Sequence, residues 1–142
     1  AVMTNRRLAD IVGDQRLLAL REHAPVREAC QCMWERRKGS VLVIDQDSRL
    51  IGIFTGRDAV RVLAEGRNAD ATPLLDAMTP NPVTAAPSSR AIDALRTMSD
   101  RGIRHLPVVE NHTIFGVISR NDFKGVEVDR LDEDDHLSEC LR

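Results

Sequence analysis

The chain carries the same short arrangement of residues twice, and this repeat limits its possible folds more than any other feature. The first copy reads GIFTGRDAV at 52–60 and the second reads GVISRNDFK at 116–124. Each has glycine, two apolar residues, a hydroxyl residue, two further residues and then aspartate. At an offset of 64 the hydroxyl and carboxylate positions align, Thr55 with Ser119 and Asp58 with Asp122. A chain of 142 residues with such a repeat is expected to contain two similar small units.

The features upstream of each motif also recur in register, at an offset of 65. Each copy has apolar residues at helical spacing, a short apolar run, a polar turn and a second apolar run. Runs of this kind indicate buried strands joined as hairpins. The predicted strands are 40–44 and 49–55 in the first copy, and 105–109 and 113–119 in the second. Gly39 and Gly102 are expected to end the preceding helices in the left-handed conformation.

The composition narrows the class of protein. The chain is 42% hydrophobic but only 3% aromatic, so its core must be aliphatic. A net charge of -2 does not favour nucleic acid, and no apolar run approaches the roughly 18 residues of a membrane helix. The N-terminus lacks the apolar region of a signal peptide. Three cysteines do not make a disulfide framework, so a reducing cytoplasm is the expected location.

Together these features resemble a tandem pair of CBS domains, also called a Bateman module. The repeated motif carries the resemblance, and AMTPNPVT at 77–84 and GIRHLPVVE at 102–110 support it. The resemblance implies a mixed α/β (α+β) fold. In it, two strand–helix–strand–strand–helix repeats pack sheet to sheet about a pseudo-twofold axis. The implied parts are repeats at 8–66 and 77–130, a linker with a helix at 67–76, and an acidic tail at 131–142.

The same resemblance implies two clefts that bind adenosine-containing ligands, such as AMP, ADP, ATP or NAD. The implied ribose acceptors are Asp58 and Asp122, each helped by the hydroxyl of Thr55 or Ser119. Residues implied to hold the base are Thr79, Val83, Thr84 and Ile103. Residues expected to face the phosphates are Arg104 and His105, with Arg57 and Arg120 inside the motifs as further candidates.

The residue chemistry supports this assignment independently. A ribose 2′,3′-diol presents two donors, and a carboxylate can accept both. An aspartate in the first turn of a helix is stabilised by the helix dipole, and the free N–H groups there suit a phosphate. The alternative is that Asp58 and Asp122 serve only as helix-capping charges, with Thr55 and Ser119 as caps. The two roles are compatible.

The two copies differ upstream of the motif. The counterpart of MTPNPVTA at 78–85 is GDQRLLAL at 13–20, and the counterparts of Arg104 and His105 are Gly39 and Ser40. The two clefts are therefore expected to differ in affinity, with the one supported by PNPVT and Arg104 the stronger. The sequence leaves open which aspartate completes which cleft.

No catalytic or metal motif accompanies the repeat. The chain has no Walker sequence, no Gly-x-Gly-x-x-Gly and no metal-ligand spacing, so neither an enzyme nor a metal site is expected. The predicted function is a regulatory nucleotide sensor that forms a homodimer and acts on an unidentified protein target. The residues expected at the dimer contact are Met33, Trp34, Val60 and Leu63. The alternative is a structural or dimerisation module whose clefts are empty or hold another ligand.

Overall fold

The computed structural model describes residues 6–123, and these divide into two compact units. The first unit spans Arg16–Val83, and the second joins 6–15 to 84–123. Residues 6–15 therefore belong to the same unit as the second motif. Domain boundaries drawn in sequence order do not predict this. The predicted repeat limits of 8–66 and 77–130 stay a prediction. The helix predicted after Asp122 and the acidic tail at 131–142 lie outside the described residues.

The first unit is built on a four-stranded sheet. Numbered in chain order, its elements are β1 (Ala19–Arg21), α2 (Val26–Arg36), β2 (Ser40–Ile44), β3 (Leu50–Thr55), α3 (Gly56–Ala64) and β4 (Thr79–Pro80). The strand order is β1-β2-β3-β4, with β1 parallel to β2 and the other neighbours antiparallel. The helix predicted within 67–76 is a single 3₁₀ turn at Leu74–Asp76.

The second unit contains the matching hairpin. Its elements are α1 (Leu8–Val12), α4 (Ala91–Arg101), β5 (His105–Glu110), β6 (Thr113–Ser119) and a 3₁₀ turn at Arg120–Asp122. Strands β5 and β6 are antiparallel, and Ala85 forms a parallel bridge with Val108. Helix α1 contacts β6. The described residues thus have the predicted mixed α/β character.

The hairpins of the two units have the same register, as the sequence repeat predicts. Val43 pairs with Gly52 in the first hairpin and Val108 pairs with Gly116 in the second. An irregularity follows each of these pairs at the same position, between residues 43 and 44 and between 108 and 109. The repeat therefore extends to the backbone hydrogen bonding that positions each motif.

The core of the first unit is aliphatic apart from Phe54. Helix α2 buries Val26, Ala29 and Met33, at the spacing of one helical face. Met33 is 9% exposed, so the prediction that it lies on an exposed helix face available for a dimer contact is wrong. Helix α2 also ends before Gly39, because Arg37 takes the left-handed conformation with φ 54°. Helix α4 ends at Gly102 with φ 64°, as predicted.

The motif glycines allow close approach by different neighbours in the two units, and this gives a stability prediction. A Cβ at Gly116 would lie 2.9 Å from Val12 Cγ1, 3.0 Å from Val12 Cβ and 2.7 Å from Gln15 Oε1. At Gly52 the three atoms nearest to such a Cβ all belong to the flexible side chain of Met78. We expect Gly116→Ala to lower the free energy of unfolding by about 1–3 kcal/mol. Gly52→Ala is expected to cost less, because the Met78 thioether chain can move aside.

Urea denaturation of both variants beside the unsubstituted protein measures this difference. Because the two glycines occupy equivalent positions, their backbone effects largely cancel in the comparison. A smaller loss for Gly116→Ala than for Gly52→Ala would contradict the packing of residues 12–15 on β6.

Candidate functional site

The motif of the first unit forms the start of helix α3. Thr55 is the N-cap in extended backbone, and its Oγ1 accepts a hydrogen bond from the Asp58 backbone N–H at 3.4 Å. In return, Oδ2 of Asp58 accepts from the Thr55 backbone N–H at 2.9 Å and from Thr55 Oγ1 at 3.2 Å. This reciprocal pattern is a capping box. The helix-capping role that the sequence suggested for Thr55 and Asp58 is therefore confirmed.

The Asp58 carboxylate has two further partners in the same unit. Thr79 Oγ1 donates to Oδ1 at 3.1 Å, and Arg61 Nη2 lies 3.4 Å from the same oxygen. Arg61 also donates to the Ala77 carbonyl oxygen at 2.5 Å, which holds the guanidinium near Asp58. The pairing of Ile53 with Thr79 between β3 and β4 brings Thr79 to the motif. Asp58 is 6% exposed, so nearly the whole residue is enclosed.

The motif of the second unit repeats the cap with fewer contacts. Oδ2 of Asp122 accepts from the Ser119 backbone N–H at 2.7 Å and from Ser119 Oγ at 3.2 Å. Asp122 is half-buried, as is Ser119. The described helical segment here is only the three-residue turn at Arg120–Asp122, so a helix-dipole argument does not apply to it. The carboxylate is positioned by the strand end and this turn.

Arg104 and His105 lie beside the second motif. His105 pairs with Ser119 across the hairpin, and the Arg104 carbonyl oxygen accepts from the Arg120 backbone N–H at 3.3 Å. Burial lowers the pKa of His105 below its ordinary value, the positive charge of Arg104 lowers it further, and Asp122 acts in the opposite direction. The imidazole is therefore neutral near pH 7. Arg104 itself is exposed.

The predicted base-holding residues divide between the two units. Thr79 and Val83 belong to the first, whereas Thr84 and Ile103 belong to the second. Thr79 binds the Asp58 carboxylate, a contact different from the one predicted for it. The remaining predicted cations differ in exposure: Arg57 is exposed and Arg120 is half-buried.

Three residues near the motifs were not predicted from the sequence. Arg61 follows Asp58 by three positions on a helix, a spacing that signals a possible ion pair. Arg6 Nη2 donates to the Asp122 carbonyl oxygen at 3.2 Å. Gln15 bonds both backbone groups of Val117, donating to its carbonyl oxygen at 3.1 Å and accepting from its N–H at 2.7 Å. No local sequence signal assigns Arg6 or Gln15 to the second motif.

Two features are absent from residues 6–123. Within them, no group of three or more His, Cys, Asp or Glu side chains is arranged to hold a metal ion. None of the helices in the same range has both the length and the apolar character that crossing a bilayer requires.

The environment of His105 gives a prediction on pH. The unfolded chain takes up this proton at about pH 6.5, whereas the folded chain takes it up only at lower pH. As the pH falls below about 6.5, the unfolded state binds more protons at this site than the folded state, so stability decreases. We expect His105→Gln to lose less stability than the unsubstituted protein between pH 7.5 and 5.5.

Urea denaturation at the two pH values measures this difference. His112→Gln, which alters an exposed residue of the β5–β6 turn, serves as the matched control. Equal pH dependence in His105→Gln and the unsubstituted protein would contradict the lowered pKa of His105.

With this geometry in view, comparison with known proteins decides the family. The sequence profile of the CBS domain matches residues 8–65 and 74–129, which together make up most of the chain. The chain belongs to the CBS domain family. The CBS resemblance noted in the sequence is therefore confirmed, and the tandem arrangement with it.

A related sequence and two solved structures that resemble this chain are also CBS domain proteins. A CBS domain-containing protein of Arabidopsis thaliana, CBSCBSPB2, is 40% identical over 102 residues, covering 71% of this chain and 19% of the relative. The CBS pair thus spans about a fifth of that relative's length. A CBS domain protein of Pyrobaculum aerophilum, solved with AMP, has a TM-score of 0.81 at 24% identity and covers 90% of this chain and 99% of its own.

A second solved structure has the same fold. It is the CBS domain pair of protein MJ0100, in complex with 5′-methylthioadenosine and S-adenosyl-L-methionine. Its TM-score is 0.75 at 21% identity, and the match covers 89% of this chain and 98% of that one. At these identities the two structures establish the fold of the CBS pair.

Proposed function

We propose that this CBS pair is a regulatory, non-catalytic module that binds an adenosine-containing ligand. Binding would be signalled by a change in conformation or in affinity for a protein partner. The observation that carries the proposal is the grouping of Asp122, Ser119, His105 and Arg104 in the second unit. A carboxylate suited to a ribose diol lies there just after β6, across the hairpin from the neutral imidazole of His105, which is next in sequence to the exposed Arg104.

Each group has a distinct task in this proposal. Asp122 accepts hydrogen bonds from the ribose hydroxyls, because an ionised carboxylate is an acceptor only. Ser119 holds the carboxylate in place through its backbone N–H and its hydroxyl. Arg104 provides charge-assisted hydrogen bonds to a phosphate, and His105 offers a further N–H donor.

The ligands of the solved neighbours support an adenosine class. The Pyrobaculum protein was solved with AMP, and the MJ0100 pair with 5′-methylthioadenosine and S-adenosyl-L-methionine. These three ligands share the adenosine group and differ at its 5′ substituent. Because Arg104 is an exposed cation whose backbone contacts Arg120 of the second motif, we favour the phosphorylated members of the class: AMP, ADP, ATP or NAD.

A second candidate function is a structural or dimerisation module without an adenosine ligand. The observation that favours it is the exposure of large apolar side chains in the first unit. Trp34 is 86% exposed on α2, while Leu63 and Val60 are 81% and 65% exposed on α3. Large apolar residues at the surface mark interaction sites in many proteins. A homodimer contact or the docking of a protein target would cover them.

Isothermal titration calorimetry with AMP, ATP, NAD and S-adenosylmethionine tests the proposed function. We expect saturable binding of at least one of these to the folded protein. Light scattering after size exclusion, with and without the ligand, then separates the two candidates. A dimer that forms while none of the four ligands binds would contradict the sensor function and favour the dimerisation module.

A further inference from the structure

The two motif carboxylates differ in how many of their acceptor positions are already used. A carboxylate offers about four lone-pair sites. At Asp58, Oδ2 accepts two hydrogen bonds from Thr55, and Oδ1 contacts both Thr79 Oγ1 and Arg61 Nη2. The Asp58 side chain is 8% exposed, which leaves little room for another donor. A ligand hydroxyl at Asp58 would first have to displace Thr79 and Arg61.

Asp122 retains acceptor capacity that Asp58 has lost. Its Oδ2 accepts from the backbone N–H and the hydroxyl of Ser119, as Oδ2 of Asp58 accepts from those of Thr55. Among residues 6–123, no hydrogen bond or ion pair reaches its Oδ1. Oδ1 therefore keeps two lone-pair sites for the two donors of a vicinal diol. Asp122 is only half-buried, whereas Asp58 is buried.

The sequence repeat explains this difference. At the offset of 65 that relates the upstream segments, the counterpart of Thr79 is Asp14. At the offset of 64 that relates the motifs, the counterpart of Arg61 is Gly125. An ionised aspartate cannot donate a hydrogen bond, and a glycine has no side chain. Thr79 and Arg61 contact the Asp58 carboxylate, whereas their counterparts in the second copy have no side chain that could donate to Asp122 in the same way.

We propose that each chain binds one adenosine-type ligand, at Asp122, and that Asp58 is a structural carboxylate held by Thr55, Thr79 and Arg61. This inference rests on the proposed function and adds the stoichiometry and the location. It departs from the expectation of two binding clefts. In the first unit, the duplicated motif secures α3 and β4 around Asp58 rather than binding a ligand.

Calorimetry with AMP tests the inference on the unsubstituted protein, Asp122→Asn and Asp58→Asn. Asparagine keeps the size of the side chain and one acceptor oxygen, so the cap of each motif is retained. The unsubstituted protein is expected to bind one AMP per chain. Asp122→Asn should weaken that binding at least about a hundredfold with an unchanged thermal midpoint. Asp58→Asn should keep one site with affinity within about threefold, while its thermal midpoint falls.

The outcomes separate the two proposals. Two AMP per chain, or lost binding in Asp58→Asn with retained binding in Asp122→Asn, would overturn only the single-site inference. No binding of AMP, ATP, NAD or S-adenosylmethionine to the unsubstituted protein would overturn the proposed function and the inference with it. The stoichiometry of the unsubstituted protein needs no variant, so it is decisive even if Asp58→Asn does not fold.

Discussion

Phe54→Ala is expected to lower the free energy of unfolding by about 3–5 kcal/mol, the usual cost of truncating a fully buried phenylalanine. Phe54 is 0% exposed on β3, where it pairs with Val41. It lies in a cluster whose other members are aliphatic side chains and Met33. These neighbours come from helices, strands and the 3₁₀ turn, so no single segment can move to fill the space left by the ring.

Phe115→Ala is the matched control for this substitution. Phe115 is on β6 and is 39% exposed, so its truncation removes less buried area. We expect a loss of about 1 kcal/mol or less. Urea denaturation monitored by circular dichroism measures both variants. Equal losses for Phe54→Ala and Phe115→Ala would contradict the central position of Phe54 in the core.

Arg104→Ala is expected to weaken AMP binding about ten- to a hundredfold while leaving adenosine binding nearly unchanged. Hydrogen bonds to charged groups contribute about 1.5–3 kcal/mol, and each 1.4 kcal/mol is about a tenfold change in affinity. The selective loss follows because Arg104 is proposed to contact the phosphate, whereas the ribose and base contacts remain. Calorimetry with both ligands on the variant and the unsubstituted protein gives the four affinities required.

Arg57→Ala is the control for charge. Arg57 is an exposed arginine in the first motif, so the variant removes the same charge at a distance in sequence from Asp122. Its AMP affinity is expected to stay within about threefold of the unsubstituted protein, as for surface charges in general. An equal loss of adenosine and AMP binding in Arg104→Ala would contradict the phosphate contact.

Much of the fold could be predicted from the sequence, because the hairpins and motifs recur in register. The pairing of Val43 with Gly52 and of Val108 with Gly116 confirms that register in both copies. The end of helix α2 could not be predicted, because Arg37 is an arginine in the left-handed conformation. The placement of 6–15 in the second unit could not be predicted either, because local composition does not indicate which copy a segment packs against.

The candidate site could be predicted only in part. A hydroxyl residue three positions before an aspartate is a local signal, and the caps at Thr55 and Ser119 follow from it. The contact between Thr79 and Asp58 is not local, because it depends on the pairing of the two-residue strand β4 with β3. The difference between the two carboxylates in how many acceptor positions are already used can therefore be recognised only from the fold.

The central claim is that Asp122 binds the ribose hydroxyls of an adenosine-containing ligand. A comparison of AMP with 2′,3′-dideoxy-AMP by calorimetry tests it most directly, because the two ligands differ only in those hydroxyls. Sites built to hydrogen-bond a hydroxyl discriminate strongly against analogues that lack it, so we expect at least about a hundredfold weaker binding of the dideoxy ligand. In Asp122→Asn the difference should shrink. Equal affinity of the unsubstituted protein for the two ligands would contradict the account.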